Sequence, residues 1–290
     1  GAISGGQFVV DIMKEMGYDA IGLGNHEFDF GTPHLTKLVE ENGLPVVNMN
    51  LRSLHPDSLF FTPYIIKDFG GKKIAFVGVV TPESLISEAY SFFDKQGKQM
   101  LSLCEDNLVD EVQKTVNEAR KAGAHYVILL SHLGEASAKN FLTSHRLVSS
   151  TRGIDVVLDG HTHSRISCET VLNADGDTVL LSQTGSRFKN VGKLVIRPDG
   201  RMSTELIPVD SIKQESAHIR QVTDSIEAMM AKVTTNKICH SDYRMDLFDE
   251  NGRQMVRTRE TCIGNLVADA FRAVTGAQLA VNNGGGIRAP

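Results

Sequence analysis

The chain has 290 residues, which at about 150 per domain allows one large or two ordinary domains. With 41% apolar and 22% charged residues it can bury a core, and its net charge of −5 argues against a nucleic-acid polymer held by bulk electrostatics. Its apolar stretches, such as Ile74 to Val80 and Tyr126 to Leu130, fall far short of the roughly 18 residues of a membrane span.

Phe8, Val9, Ile12, Met13 and Met16 share one helical face, Gly17 stops that helix, and Ala20 to Leu23 reads as a short buried strand. Thr32-Pro33 opens a second helix, Gly43 closes it, and Pro45 to Met49 is strand-like. A hairpin is expected for Tyr64 to Phe69 with Lys73 to Val80 about Gly70-Gly71. Asp106 to Ala122 reads as an amphipathic helix closed by Gly123, followed by strands at Tyr126 to Leu130 and Ile154 to Leu158. Two more hairpins pair Cys168 to Leu172 with Thr178 to Leu181, and Leu194 to Arg197 with Met202 to Leu206. This gives a mixed α/β domain over residues 1–210 and a linker helix within 211–235, before a second unit over 236–290.

The second unit holds a helix from Thr261 to Val274 with Gly276 as its stop, a strand at Gln278 to Val281, and the loop Asn282 to Gly286. A lone helix and strand cannot bury a core, so this unit is expected to be truncated. The opening Gly1-Ala2-Ile3-Ser4, without an initiator Met or a targeting core, gives the other end the same cut look. Cys104, Cys168, Cys239 and Cys262 stand far apart without a C-x-x-C, and are expected to be plain thiols.

Three apolar strands end alike: Ala20 to Leu23 runs into Gly24-Asn25-His26-Glu27, Tyr126 to Leu130 into Ser131-His132, and Val156 to Leu158 into Asp159-Gly160-His161-Thr162-His163. Ligands of open α/β sheets bind at the carboxyl ends of strands, so these histidines and Asn25 are expected on one rim. Imidazole suits Zn, Mn, Fe or Co, and an Asn oxygen is a hard neutral ligand. Each element also has a plainer reading. A strand-end His is often a loop hydrogen-bonding group, Asn25-His26 can shape a turn, and His161 and His163 either share one side of an extended segment or cap a loop. Taken together, the three strand ends point to a metal site. Glu27 and Asp159 flank the candidate ligands as hydrogen-bond partners, and Gln183 and Arg187 are candidates to line the cleft.

Gly24-Asn25-His26-Glu27, Ser131-His132 and Gly160-His161-Thr162-His163 resemble, in order, the motifs of the calcineurin-like metallophosphoesterases. The longer string Gly24 to Gly31 resembles their 5′-nucleotidase branch, the type that includes bifunctional UDP-sugar hydrolase/5′-nucleotidases. Arg259-Glu260-Thr261 with Gly264-Asn265-Leu266, then Asn283 to Arg288, is similar to the start of that family's C-terminal substrate domain. The resemblance implies a four-layer αββα sandwich followed by the start of a C-terminal α/β domain. It also implies two divalent ions of the Zn, Mn, Co or Mg class, with Asn25, His132 and His161 for one and His163 for the other.

The family's Asp-x-His and Gly-Asp, the latter carrying a bridging Asp, lie ahead of the segment that matches residues 1–31 and do not stand there in this chain. One metal site is therefore expected to be incomplete, and this chain by itself to be weakly active or inactive. By the same resemblance His26 would stabilise the transition state or protonate the leaving oxygen, and Asp29 would hold its ring. Arg259, Asn283 and Arg288 would face a nucleotide. The implied activity is hydrolysis of nucleotide phosphomonoesters, with nucleotide sugars or 2′,3′-cyclic nucleotides as further substrates, in a periplasmic, extracellular or surface-anchored setting. The alternatives are a general metallophosphodiesterase and a catalytically silent metal- or nucleotide-binding fragment. The C-terminal Arg and Asn signals speak against the first, and the missing carboxylates favour the second.

Overall fold

Gly17, Gly43 and Gly276, each in the left-handed region, stop three of the helices. In the computed structural model, which describes residues 3–137, 141–237 and 240–287, helix α1 (Gln7–Met16) ends at Gly17 in the left-handed region. Strand β1 (Ile21–Gly22) follows, then α2 (Thr32–Asn42) with a proline in its first turn, then β2 (Val46–Val47), parallel to β1. Strands β3 (Arg52–Leu54) and β4 (Asp57–Leu59) form a small antiparallel sheet with the later β7 (Leu101–Ser102). The hairpin β5 (Tyr64–Phe69) and β6 (Lys72–Val80) leads into the short helix α3 (Ser84–Ser87). Helix α4 (Leu108–Lys121), β8 (Tyr126–His132), α5 (Ser144–Ser150) and β9 (Val156–Asp159) come next. The hairpins β10 (Arg165–Leu172) with β11 (Thr178–Thr184), and β12 (Asn190–Ile196) with β13 (Met202–Pro208), complete the sheets.

The main sheet runs β10-β11-β9-β8-β6-β5, parallel through its centre and antiparallel at both edges. Alternation along β8 sorts its two faces. Val127 and Leu129 share one core with Val77, Val79 and Val157, and with Val112 and Val116 of α4 and Leu147 and Val148 of α5. The other face meets β1-β2 and β12-β13, and α2 closes a second core there with Leu35 and Val39 against Leu23, Val46 and Phe28. Each such apolar side chain contributes about 1.5–3 kcal/mol by burial. The result is the four-layer αββα sandwich. The sheets lie in tight contact at Gly78, where an added Cβ would stand 1.9 Å from the Val47 carbonyl oxygen.

The chain divides into two compact units, Gly1–Ala228 and Met229–Pro290, the division falling inside helix α6 (Ala217–Thr234). In the second unit α7 (Cys262–Thr275) begins where Thr261 Oγ1 accepts from the Gly264 N–H at 3.1 Å, and it ends at Gly276. Leu247, Val256 and Ile287 form its small core with Ile263 and Val267. The strand expected at Gln278 to Val281 is not formed: Leu279 and Val281 are 86% and 98% exposed, and no strand of the described residues pairs with them. Cys104, Cys168 and Cys262 are free thiols, with Cys104 buried and its thiol pushed up to about 11 by that burial. Cys239 lies outside the described residues. No helix among the described residues is long and apolar enough to cross a membrane.

Candidate metal centre

Beyond β1 the chain makes one 3₁₀ turn, Asn25–Phe28, and local chemistry fixes both of its ends. The Gly24 N–H donates to Glu27 Oε2 at 2.6 Å, so Glu27 closes the turn. Phe28 is fully buried with its ring centroid 4.9 Å from that of Phe92, and its carbonyl accepts from Tyr90 Oη and Ser91 Oγ. Asn25 is thereby held at the strand end with only 8% exposure.

His132 is the last residue of β8, in register with Val80 of β6. Its ring lies between two glycines. A Cβ on Gly24 would stand 2.7 Å from its Cε1, and one on Gly160 would stand 2.7 Å from its Nδ1. These two motif glycines are thus the walls of a slot for an imidazole. Nε2 of His132 lies 3.2 Å from Asn25 Oδ1, and its ring meets that of His161 edge-on with centroids 5.4 Å apart. Burial pushes the His132 imidazole down to about 4, and the nearby His161, His26 and His163 push in the same direction, so the ring is neutral at neutral pH.

The expectation of an extended His161-Thr162-His163 segment is corrected. His161 and His163 take φ values of 81° and 60°, so the chain turns sharply as it leaves β9. The turn separates the two side chains' surroundings. His161 is half-buried beside His132, with its Nε2 3.2 Å from Glu83 Oε2, whereas His163 is exposed. Gln183, a candidate cleft residue, is 1% exposed within β11, where its Oε1 accepts from the Ser164 N–H at 2.7 Å. Asp159 accepts from the Gly134 N–H, and burial raises its carboxyl above the usual range.

His26 Nδ1 lies 3.0 Å from Asp29 Oδ1, both side chains being about half exposed. Glu88, buried just after α3, stands with them: ligand atoms of the three residues lie within 4.8 Å of one another. Burial raises the Glu88 carboxyl, as does the charge of Asp29, while His26 and a hydrogen bond with Asn25 pull it down. Sequence reasoning missed both Glu83 and Glu88. They flank a short helix without a motif, and the one available signal was a pair of acidic residues following an apolar strand.

In the second unit Arg259, the expected substrate residue, and Arg257, which sequence reasoning passed over, have different surroundings. The guanidinium of Arg259 lies against the Met255 sulfur. That of Arg257 occupies the place where a side chain on Gly285 would have to go. Asn283 Oδ1 accepts from the Gly285 N–H at 3.0 Å and shapes the glycine turn. Arg288 lies outside the described residues.

The donor set of the first unit fits a divalent cation: an amide oxygen and imidazole nitrogens gathered at the carboxyl ends of strands, with carboxylates beside them. Residues 233–290 match the family model of the 5′-nucleotidase C-terminal domain. The fold is similar to that of a 5′-nucleotidase precursor from Thermus thermophilus, with a TM-score of 0.73 and 24% identity over 98% of this chain and 57% of that one. In sequence the chain is 27% identical to the trifunctional nucleotide phosphoesterase protein YfkN of Bacillus subtilis (strain 168), over 96% of this chain and 21% of that protein. It is 26% identical to a snake venom 5′-nucleotidase of Gloydius brevicauda, over 98% of this chain and 51% of that protein. The chain thus spans from about a fifth to about half the length of these curated relatives.

A four-layer α/β sandwich of this kind is also the fold of the calcineurin-like phosphoesterase YfkN from Bacillus subtilis, similar with a TM-score of 0.62 and 20% identity over 79% of this chain and 75% of that one. Residues 233–290 thus match the 5′-nucleotidase C-terminal domain, and the chain as a whole is similar in sequence and in fold to 5′-nucleotidases.

Proposed function

We propose that the protein hydrolyses the phosphate monoester of nucleotides in a metal-dependent reaction. The observation that carries this reading is the meeting of Asn25, His132 and His161 at the carboxyl ends of their strands, with the His26–Asp29 pair next in the chain. Asn25, His132 and His161 would hold one ion, and His163 would be a ligand of a second. Bound divalent ions supply Lewis-acid activation of water and neutralise charge on the phosphoryl oxygens.

The remaining work falls to side chains of this chain. Asp29 holds Nδ1 of His26, which leaves Nε2 to carry a proton for the leaving oxygen. Arg257, Asn283, Arg288 and Arg259 are the substrate groups of the second unit. Arg257 joins the set because its guanidinium packs on the glycine turn that Asn283 shapes. A guanidinium offers paired donors to phosphate or ribose oxygens, which suits that task. Nucleotide breakdown outside the cell is the setting we infer, from the similarity to a venom nucleotidase.

Phosphate release from AMP tests the reading. Exhaustive chelation should abolish it, and Mn, Zn or Co should restore it. Turnover that survives chelation overturns the proposal.

A further inference from the structure

His161 leaves its strand with a φ of 81°, a conformation that L residues adopt rarely and that leaves the ring's direction to its neighbours. One of those neighbours is Glu83, whose Oε2 lies 3.2 Å from His161 Nε2. The two side chains are only 22% and 21% exposed, so this contact is shielded from water in a way that surface pairs are not.

The carboxylate is firmly mounted. The Glu83 N–H donates to Thr81 Oγ1, Ser84 Oγ donates to the Thr81 carbonyl, and the Glu83 carbonyl accepts from the N–H groups of Ile86 and Ser87. Thr81 itself is fully buried at the end of β6, the strand that pairs with β8 and places Val80 beside His132. Glu83 and His132 therefore reach the site from adjacent strands of one sheet.

A neutral imidazole has one N–H and one lone pair, and a carboxylate can only accept. With Glu83 at Nε2, the proton belongs on Nε2 and the lone pair on Nδ1. We propose that Glu83 is a positioning residue that locks His161 in this tautomer and so keeps Nδ1 available to a metal ion. The part of this that concerns metal rests on the assignment of His161 as a ligand; the tautomer does not. A carboxylate at the far nitrogen also makes the ring a stronger donor, and outer partners of this kind are worth about 10–100-fold in metal affinity.

The test uses the intact protein, Glu83→Ala, Glu83→Gln and, as a control, His161→Ala. Two-bond ¹H–¹⁵N spectra of the chelated protein read the His161 tautomer, assigned by the loss of its signals in His161→Ala. Titration with Mn²⁺, followed by the spin-resonance signal of the free ion, reads affinity. We expect an Nε2–H tautomer in the unsubstituted protein. Glu83→Ala should release it to a mixture and weaken Mn²⁺ binding by about 10–100-fold. Glu83→Gln, whose amide oxygen still accepts, should keep the tautomer and lose less affinity. This isosteric variant guards against a general loss of folding in Glu83→Ala.

An unchanged tautomer together with unchanged affinity in Glu83→Ala overturns the proposal. So does an unchanged tautomer with equal losses in both variants, which would make Glu83 itself a metal ligand. If His161→Ala binds Mn²⁺ as well as the unsubstituted protein, the ligand assignment fails, and the tautomer then decides the role of Glu83 separately.

Discussion

His26 and His132 show how differently two imidazoles can be prepared within a few residues' reach of one site. His132 is desolvated and pressed between glycines, which suits a neutral donor. His26 is half exposed and hydrogen-bonded to Asp29, which fixes the ring's orientation while leaving it open to a substrate. His26→Ala should therefore leave metal content nearly unchanged while lowering turnover by about 10²–10⁴. Loss of bound metal in that variant would make His26 a ligand. At this scale the sequence disclosed the residues that sit directly after strands, because strand-end placement is a local rule. It did not disclose Glu83 or Glu88, which reach His161 and Asn25 across 78 and 63 positions of chain respectively, a proximity that only the sheet creates. It named Arg259 and passed over Arg257, whose packing on the glycine turn depends on contacts that spacing does not show.

Among elements, β6 has the strictest demand. Gly78 lies under the Val47 carbonyl so closely that a single added methyl has nowhere to go, and backbone cannot swing aside as a side-chain tip can. Gly78→Ala should lower stability by about 1–3 kcal/mol or more, read as a fall in the urea midpoint. Gly22→Ala should be milder, because its new methyl would meet the Leu130 side chain at 3.1 Å, where a small shift relieves the contact. Equal effects would mean that the sheets slide freely at both places. The long helices and the hairpins were legible because capping residues, glycine stops and glycine-bearing turns bracket them. Strands β3, β4 and β7 escaped, being two or three residues long and too short to show a period. The strand expected at Gln278 to Val281 had the right apolar residues but lacks a partner strand among the described residues, and pairing is what makes a strand.

At the scale of the whole molecule the two units carry different chemistry, imidazoles and an amide in the first, guanidiniums and a second amide in the other. Arg257→Ala should raise KM for AMP by about 10–100-fold, the worth of a hydrogen bond to a charged group, and leave hydrolysis of a small aryl phosphate nearly unaltered. Arg259→Ala should do less; the reverse order would return the role to Arg259. The slot formed by Gly24 and Gly160 has a wider consequence. Because backbone atoms fix the His132 ring, its side-chain entropy, about 1 kcal/mol, is surrendered on folding and not on loading. Small metal fingers fold only when loaded, since nothing else arranges their ligands. Here a sandwich of buried Val, Leu and Phe does the arranging. Chelation should consequently leave a cooperative thermal transition and intact circular dichroism, with only the shift that ligand release imposes. On the proposed function, starvation for metal would then leave the protein folded and ready to reload when the ion returns.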